Sequence, residues 1–283
     1  MPAIDLHSKP IAITGASSGI GAATALACAR AGMPVALAAR RLDRCTSLAD
    51  RINREGGRAI AVALDVADPE ACARLIDRTI DAFGSIYSIY ANAGYGIESP
   101  ADALDPQRLR DIFEVNFFGT MNAIRPALPH FKAARRGHVL ICSSCLAKMT
   151  LPFTSAYSAT KAAQAHIGRA MALELEPLGI HVSVVCPIGT RTEFSTNVRT
   201  EVGQPRQIEH IPDRFKQSAE LVADATVRCL RRPRPEVWTS LFTRFGMAVC
   251  TAFPGIEHFW LRRMVRERAA PADPAPARPV EQP

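Results

Sequence analysis

A doubly wound α/β fold, one parallel sheet with helices on both faces, is predicted by three features of this 283-residue sequence. Short aliphatic runs alternate with longer segments of helical period, several runs are apolar almost throughout, and the first run passes straight into a glycine-rich turn. Such alternation is the pattern of parallel strands joined by crossover helices. Strands without polar alternation are those covered on both faces. With 48% hydrophobic and 22% charged residues, the composition excludes a disordered or collagen-like chain. A chain of this length buries roughly 75% of its unfolded surface and requires no disulfide or metal staple.

Taken in order, a strand at 11–14 (IAIT) enters the glycine turn, which opens a helix at 19–31. A strand at 35–39 (VALAA) precedes a helix at 41–54, and a strand at 59–64 (AIAVAL) a helix at 70–83. That third helix is announced by Asp68-Pro69, a capping carboxylate before proline at the first helical position. A strand at 86–90 (IYSIY) is followed by a long helix at 106–131, announced in the same way by Asp105-Pro106. Strands at 138–142 (HVLIC) and 181–186 (HVSVVC) flank a helix at 156–176, and 236–240 (EVWTS) reads as a seventh strand. There is no internal repeat. Residues 1–240 thus read as one domain, within which 190–216 mixes Thr, Pro, Arg and Gly as a loop carrying one short helix. After the last central strand, that is the place for a substrate lid. Residues 241–268 form an apolar and then basic extension, and 269–283 an Ala/Pro tail expected to be disordered.

The formal net charge is +7, and the excess is concentrated late, at Arg228, Arg231, Arg232, Arg234, Arg262, Arg263, Arg266 and Arg268. No basic stretch interleaves stacking aromatics or carries a nucleic-acid motif, so nucleic acid is excluded as the expected partner. An anionic ligand or a negatively charged membrane surface stays open. The 8 cysteines are scattered rather than spaced as a secreted disulfide framework. The first residues lack the basic and apolar regions of a secretory signal, so a cytoplasmic location is expected. The histidines show no metal-ligand spacing, and no metal is expected.

Chemistry enters at Thr14-Gly15-Ala16-Ser17-Ser18-Gly19-Ile20-Gly21. Glycines where a strand turns into a helix let the backbone approach a diphosphate, and the free N–H groups and positive dipole end of the helix favour the anion. The glycine spacing here is GxxxGxG, and with it the chain resembles the short-chain dehydrogenase/reductase family, whose fold is a single Rossmann-type doubly wound domain with a mostly seven-stranded parallel sheet. Further motifs fit in order. Asp65-Val66 ends the third strand, where that family places an acidic residue near the adenine. Ala91-Asn92-Ala93-Gly94 ends the fourth, resembling the family's NNAG. Asn116 lies mid-helix and matches the catalytic asparagine, Ser143-Ser144 ends the fifth strand, and Tyr157-Ser158-Ala159-Thr160-Lys161 supplies the YxxxK pair. Ser144 precedes Tyr157 by the family's usual interval. The resemblance covers roughly residues 10 to 195. It implies catalysis by Asn116, Ser144, Tyr157 and Lys161. It also implies cofactor contacts from Gly15, Ser17, Ser18, Gly19, Ile20, Arg40, Arg41, Asp65, Val66, Asn92, Ala93, Tyr157, Lys161, Thr190 and Thr192.

Independently of the family, Tyr157 and Lys161 share a helix face four residues apart. A phenol with a pKa of about 10 is a poor base near neutrality. A nearby ammonium is expected to lower that value by roughly 1–3 units, and the charge of an oxidised nicotinamide acts in the same direction. Tyr157 then exchanges a proton with a carbonyl oxygen as hydride reaches carbon, a role worth about 10²–10⁴-fold. Ser144 donates a hydrogen bond to the same oxygen. By resemblance, Lys161 also holds the nicotinamide ribose, and Asn116 anchors a water that resupplies protons. Cofactor choice is read after the second strand. NAD enzymes usually place a carboxylate there, whereas this chain has Ala39 followed by Arg40 and Arg41, whose planar guanidiniums suit a 2′-phosphate. The cofactor expected is NADP(H) rather than NAD(H), with carbonyl reduction as the direction.

The family's PGxVxT becomes Pro187-Ile188-Gly189-Thr190-Arg191-Thr192, which brings an isoleucine side chain close to cofactor or substrate. Cys142-Ser143-Ser144-Cys145 is a CxxC that opens no helix and is read as coincidental. The run 241–261 is apolar and aromatic but is interrupted by Arg244, Pro254 and Glu257, so it cannot cross a bilayer as an unbroken helix. Two readings stand for it: a cap on the cleft or a second subunit, or a peripheral membrane contact through Phe242, Phe245, Phe253, Phe259 and Trp260 with Arg262–Arg268 near headgroups. Both imply an apolar carbonyl or alcohol substrate. By resemblance the chain assembles as a homodimer or homotetramer through the helices at 106–131 and 156–176. The alternative to an enzyme is an NADP-binding scaffold or redox sensor that turns nothing over.

Overall fold

The computed structural model describes residues 3–149, 151–194, 198–200 and 216–269. The apolar runs form seven strands: β1 (Ile11–Thr14), β2 (Val35–Ala39), β3 (Ala59–Ala63), β4 (Ser88–Ala91), β5 (Gly137–Cys142), β6 (Ile180–Cys186) and β7 (Glu236–Trp238). They make one all-parallel sheet in the order β7-β6-β5-β4-β1-β2-β3. β1, β2, β4 and β5 are buried along their whole length, as runs without polar alternation require.

Two apolar layers cover the sheet. On one face lie α1 (Gly19–Arg30), α2 (Leu42–Arg54) and α8 (Ala219–Arg231), which pack Cys28, Ile52 and Leu230 on Ile11, Leu37 and Leu140. On the other lie α3 (Pro69–Phe83), α5 (Gly119–Ile124), α6 (Leu128–Ala134) and α7 (Ser155–Leu175), which pack Leu75, Ile124, Phe131 and Met171 on Ile89, Val139 and Val182. The strand order reverses between β1 and β4. There the crossovers leave to opposite faces, and a crevice opens at the carboxyl ends of the strands.

The helix starts follow their caps. Asp68 accepts from the N–H groups of Glu70 and Ala71, and Asp105 from those of Gln107 and Arg108. The single helix expected over 106–131 is instead broken into α4 (Pro106–Phe113), a π turn (Glu114–Phe118), α5, a 3₁₀ turn (Arg125–Ala127) and α6. Pro126 and Pro129 lack the N–H that would continue the α ladder. The π turn leaves the Asn116 carbonyl to the Thr120 hydroxyl (2.8 Å) and the Gln164 amide (2.6 Å). Helix α8 was not expected, although its signals stand in the sequence. Ser218 caps it through Leu221 N–H, and Val222, Ala225, Thr226 and Cys229 recur on its buried side. The seventh strand stops at Trp238 rather than 240, because Ser240 turns away to cap the next helix through Thr243 N–H.

Of the expected lid, Thr190–Arg191 pairs with Gln217–Ser218, and Arg199–Thr200 with Ile97–Glu98. Residues 195–197 and 201–215 of it, and the tail from 270 onward, lie outside the described residues. The apolar extension forms two helices that part at Pro254, α9 (Leu241–Ala252) and α10 (Pro254–Ala269). No described helix is long and apolar enough to cross a membrane.

Candidate active site

The crevice at the sheet's switch point has a volume of about 850 Å³, within the roughly 300–1,000 Å³ of small-molecule sites. Its floor is built by the first strand end. Thr14 Oγ1 accepts from the N–H groups of Asn92 and Ala93, both at 3.0 Å, and the Asn92 amide donates back to the Thr14 carbonyl at 2.9 Å. These bonds lock the ends of β1 and β4 together beneath the glycine turn.

The turn admits only glycine at two points. At Gly15 φ is +67°, and a Cβ there would lie 2.9 Å from Ala93 Cα. A Cβ at Gly21 would run into the Gly15 carbonyl oxygen. Ser18 stands at the N-cap of α1 without a side-chain cap, so the first-turn N–H groups point bare into the crevice. A thin loop ahead of an uncapped helix start fits a diphosphate.

Every cofactor residue expected from the sequence lines this one crevice: Gly15 and Ser17 to Ile20 from the turn, Arg40 and Arg41 after β2, Asp65 and Val66 after β3, Asn92 and Ala93 after β4, and Thr190 and Thr192 after β6. Arg41 is held in place. Its Nη2 donates to Ser18 Oγ at 2.8 Å and to Ser17 Oγ at 3.1 Å, while Nη1 meets Glu193 at 3.0 Å. Arg44 Nη1 donates to both oxygens of Glu193 at 2.8 Å. The two guanidiniums hold the Glu193 carboxyl below the usual carboxylate range. Glu193 and Arg44 are site residues that the sequence motifs do not point to. Arg44 lies one turn into α2, and no local pattern announces Glu193, 149 residues away.

Thr192, Glu193 and Phe194 are consecutive and meet three different parts of the crevice. Thr192 packs over Gly19, Glu193 bridges the arginines, and the Phe194 ring sits 5.5 Å from the Tyr157 ring. Phe194 too had no signal in the sequence. Ile188 lines the crevice as expected. The Thr190 hydroxyl is committed to the Ile188 carbonyl (2.7 Å) and receives a bond from Gln217 (3.0 Å).

Ser144, at the end of β5, and Tyr157 and Lys161, on α7, converge on the same crevice. The Ser144 hydroxyl lines the crevice and accepts from Leu146 N–H at 3.1 Å. The Lys161 ammonium is buried and donates to the Cys142 carbonyl at 2.8 Å, with the Tyr157 ring centre 5.5 Å away. The expected electrostatics are corrected here. Burial dominates and pushes the phenol above its ordinary value, Cys142 beside it acts in the same direction, and burial likewise pulls the lysine down. One of the ammonium's three N–H groups goes to the Cys142 carbonyl.

Asn116 does not line the crevice; it stands behind it, fully buried in the π turn. Its amide accepts from Tyr95 N–H and donates to the Tyr95 carbonyl (both 3.0 Å) and to Thr160 Oγ1 (3.1 Å). Gly94 separates it from Lys161: a Cβ there would lie 2.9 Å from Asn116 Oδ1 and 3.7 Å from Lys161 Nζ. Cys142 and Cys145 are both free thiols pushed upward by burial, which leaves little thiolate for redox chemistry. Among the described residues no group of acidic, histidine and cysteine side chains is placed to hold a metal ion.

The family model for short chain dehydrogenases matches residues 9–203. The uncharacterized oxidoreductase Lmo0432 of Listeria monocytogenes is 33% identical over 228 residues, covering 78% of this chain and 91% of its own length. Among solved structures, a short chain dehydrogenase/reductase of Burkholderia phymatum in complex with NAD shares the fold at a TM-score of 0.81, with 23% identity over 96% of this chain and 99% of its own. An alcohol dehydrogenase of the archaeon Thermococcus sibiricus, complexed with 5-hydroxy-NADP, gives a TM-score of 0.69 at 28% identity, covering 81% of this chain and 94% of its own. The chain belongs to the short-chain dehydrogenase/reductase family of oxidoreductases.

Proposed function

We propose that the chain is an NADP(H)-dependent reductase that converts an apolar carbonyl compound to a secondary alcohol, with Tyr157 as the proton donor. The observation that carries this reading is convergence: Ser144, Tyr157 and Lys161 open into the same crevice as the uncapped start of α1 and the Arg40-Arg41 pair. A nicotinamide cofactor, once bound, supplies the hydride. The bare N–H groups of α1 hold its diphosphate, and Arg40 and Arg41 take the 2′-phosphate.

The chain's own residues handle the proton. A phenol is neutral near pH 7 with or without that burial, so Tyr157 can release its proton to the carbonyl oxygen as charge develops there. The Ser144 hydroxyl steadies the same oxygen. Lys161, held by the Cys142 carbonyl, keeps a cation beside the phenolate that results. The water that returns a proton would pass by Gly94, the residue between Lys161 and Asn116. Leu146, Leu151, Ile188 and Phe194 give the substrate end an apolar wall. Assembly as a dimer or tetramer is proposed through α4–α6 and α7, where Leu109, Phe118 and Leu173 are exposed.

Tyr157→Phe tests the reading. NADPH binding should persist, while turnover across a panel of carbonyls from small aldehydes to steroids should fall about 10²–10⁴-fold. Unchanged turnover would remove the phenol from the mechanism.

A further inference from the structure

The two C-terminal helices present an inverted pattern. On α9 the inward side carries small or intermediate groups, Thr243, Gly246, Met247 and Cys250. The outward side carries Leu241, Phe242 and Phe245, exposed by 77%, 88% and 70%. On α10, Ile256, Phe259 and Trp260 share a face at helical spacing and are exposed as well, and Phe253 at the joint between the helices is 62% exposed. Scattered exposed apolar residues are ordinary, but six large apolar side chains exposed on two adjoining helices, with a seventh at the joint between them, mark an interaction site.

Charge decides what covers it. These residues are followed directly by Arg262, Arg263 and Arg266, all exposed, and α9 adds Arg244 between its aromatics. Against the five arginines of residues 241–269 stand only Glu257 and Glu267. A second copy docking face to face through these helices would bring like charges together. An anionic lipid surface matches both features at once, with aromatic rings at the acyl boundary and guanidiniums among the headgroups. The placement also gives such docking a use. α9 rests on the 3₁₀ turn Cys145–Ala147 that follows Ser144, with the Thr251 hydroxyl bonded to the Lys148 carbonyl at 3.2 Å.

We infer that α9 and α10 form a monotopic docking surface for anionic membranes, with Phe242, Phe245, Phe253, Phe259 and Trp260 inserted and Arg262, Arg263 and Arg266 paired with headgroups. The surface does not depend on the proposed reaction. It places the rim of the crevice beside Cys145 at the lipid boundary.

The test is flotation of the full chain with phosphatidylcholine vesicles, with and without phosphatidylglycerol. Expected is co-flotation with the phosphatidylglycerol vesicles that weakens as salt is raised, and a loss of at least tenfold in bound fraction for Phe242→Asp/Phe245→Asp. Both positions are exposed, so retained cofactor binding verifies that this variant folds. In a Trp238→Phe background, Trp260 emission should shift to the blue on mixing with the same vesicles. A chain that stays with the soluble fraction and shows no emission shift overturns the inference. So does a loss of self-association in Phe242→Asp/Phe245→Asp, measured by light scattering, without vesicle binding by the parent chain, because a second copy would then own the surface.

Discussion

The Lys161 ammonium lies 5.5 Å from the centre of the Tyr157 ring, and one of its N–H groups goes to the Cys142 carbonyl. At that distance, and without a direct bond to the phenol oxygen, the cation does not offset what burial costs the phenolate. A neutral phenol is therefore the resting state, which is the form the proposed proton donor needs.

That ordering predicts the titration of the free protein. Because burial raises the phenol, Tyr157 should not ionise until the pH exceeds the ordinary tyrosine value of about 10. The difference in phenolate absorbance between the parent chain and Tyr157→Phe isolates this one group. A difference that grows already below about pH 9 would mean the ammonium outweighs burial after all.

Cofactor choice should depend on the Arg41–Glu193 pair. Glu193 already pairs with Arg41 and Arg44 and offsets one of their two charges, so a 2′-phosphate has to compete with a carboxylate for the same guanidiniums. Arg41→Ala should weaken NADPH more than NADH, by about 10- to 100-fold in the ratio of dissociation constants, the range of a hydrogen bond to a charged group. Glu193→Gln should shift the ratio the other way, toward NADPH. Titration of both cofactors by fluorescence reads these ratios directly. Equal losses for the two cofactors would deny that the arginines see the phosphate.

What the sequence disclosed and what it hid divide along one physical line. Positions set by local backbone demands were legible. The glycine turn needs positive φ at Gly15 and no side chain at Gly21, Asp68 and Asp105 cap their own helices, and Tyr157 and Lys161 share a face because they lie one turn apart. Relations between residues distant along the chain were not. Glu193 reaches Arg41 and Arg44 across the crevice, Phe194 lies against Tyr157, and the Asn116 carbonyl in the π turn is taken by Gln164 and Thr120. The sign of the Tyr157 shift was missed for the same reason. Its largest cause is how deeply α7 packs, which no spacing of residues reports. Helix α8 is a different case, since Ser218 and the 3.6-residue period marked it in full view.

Asn116 should prove to matter for stability before it matters for rate. Its side chain holds Tyr95 N–H, the Tyr95 carbonyl and Thr160 together behind the crevice. Asn116→Ala leaves those groups to find other partners, at roughly 1–3 kcal/mol for each that stays buried and unpaired. Urea denaturation should show a lower midpoint. Thr160→Val, which removes only one of the three contacts, should lose less. An Asn116→Ala protein as stable as the parent would mean that solvent replaces the whole network.

Stability itself should peak between about pH 6.5 and pH 9, bounded by two sets of buried groups that titrate abnormally. On the acid side stands His138, which burial, helped by the nearby His181, pulls down to about 3. Its Nε2 pairs with Ser183 Oγ at 2.8 Å, and its Nδ1 has no partner. Below about pH 6.5 the unfolded chain binds a proton there that the native one does not, so stability falls as pH drops toward 3. On the alkaline side stand thiols that burial raises: Cys28, Cys72 and Cys186 to about 12 and Cys45 to about 11. Above about pH 9 the unfolded chain gives up protons that the native one keeps, so the slope reverses and stability falls as pH rises toward those values. Denaturation midpoints measured across this range should trace an arch. His138→Gln should flatten its acid limb alone, and Cys28→Ala part of its alkaline limb alone. An acid limb unchanged in His138→Gln would assign that loss of stability to carboxylates instead.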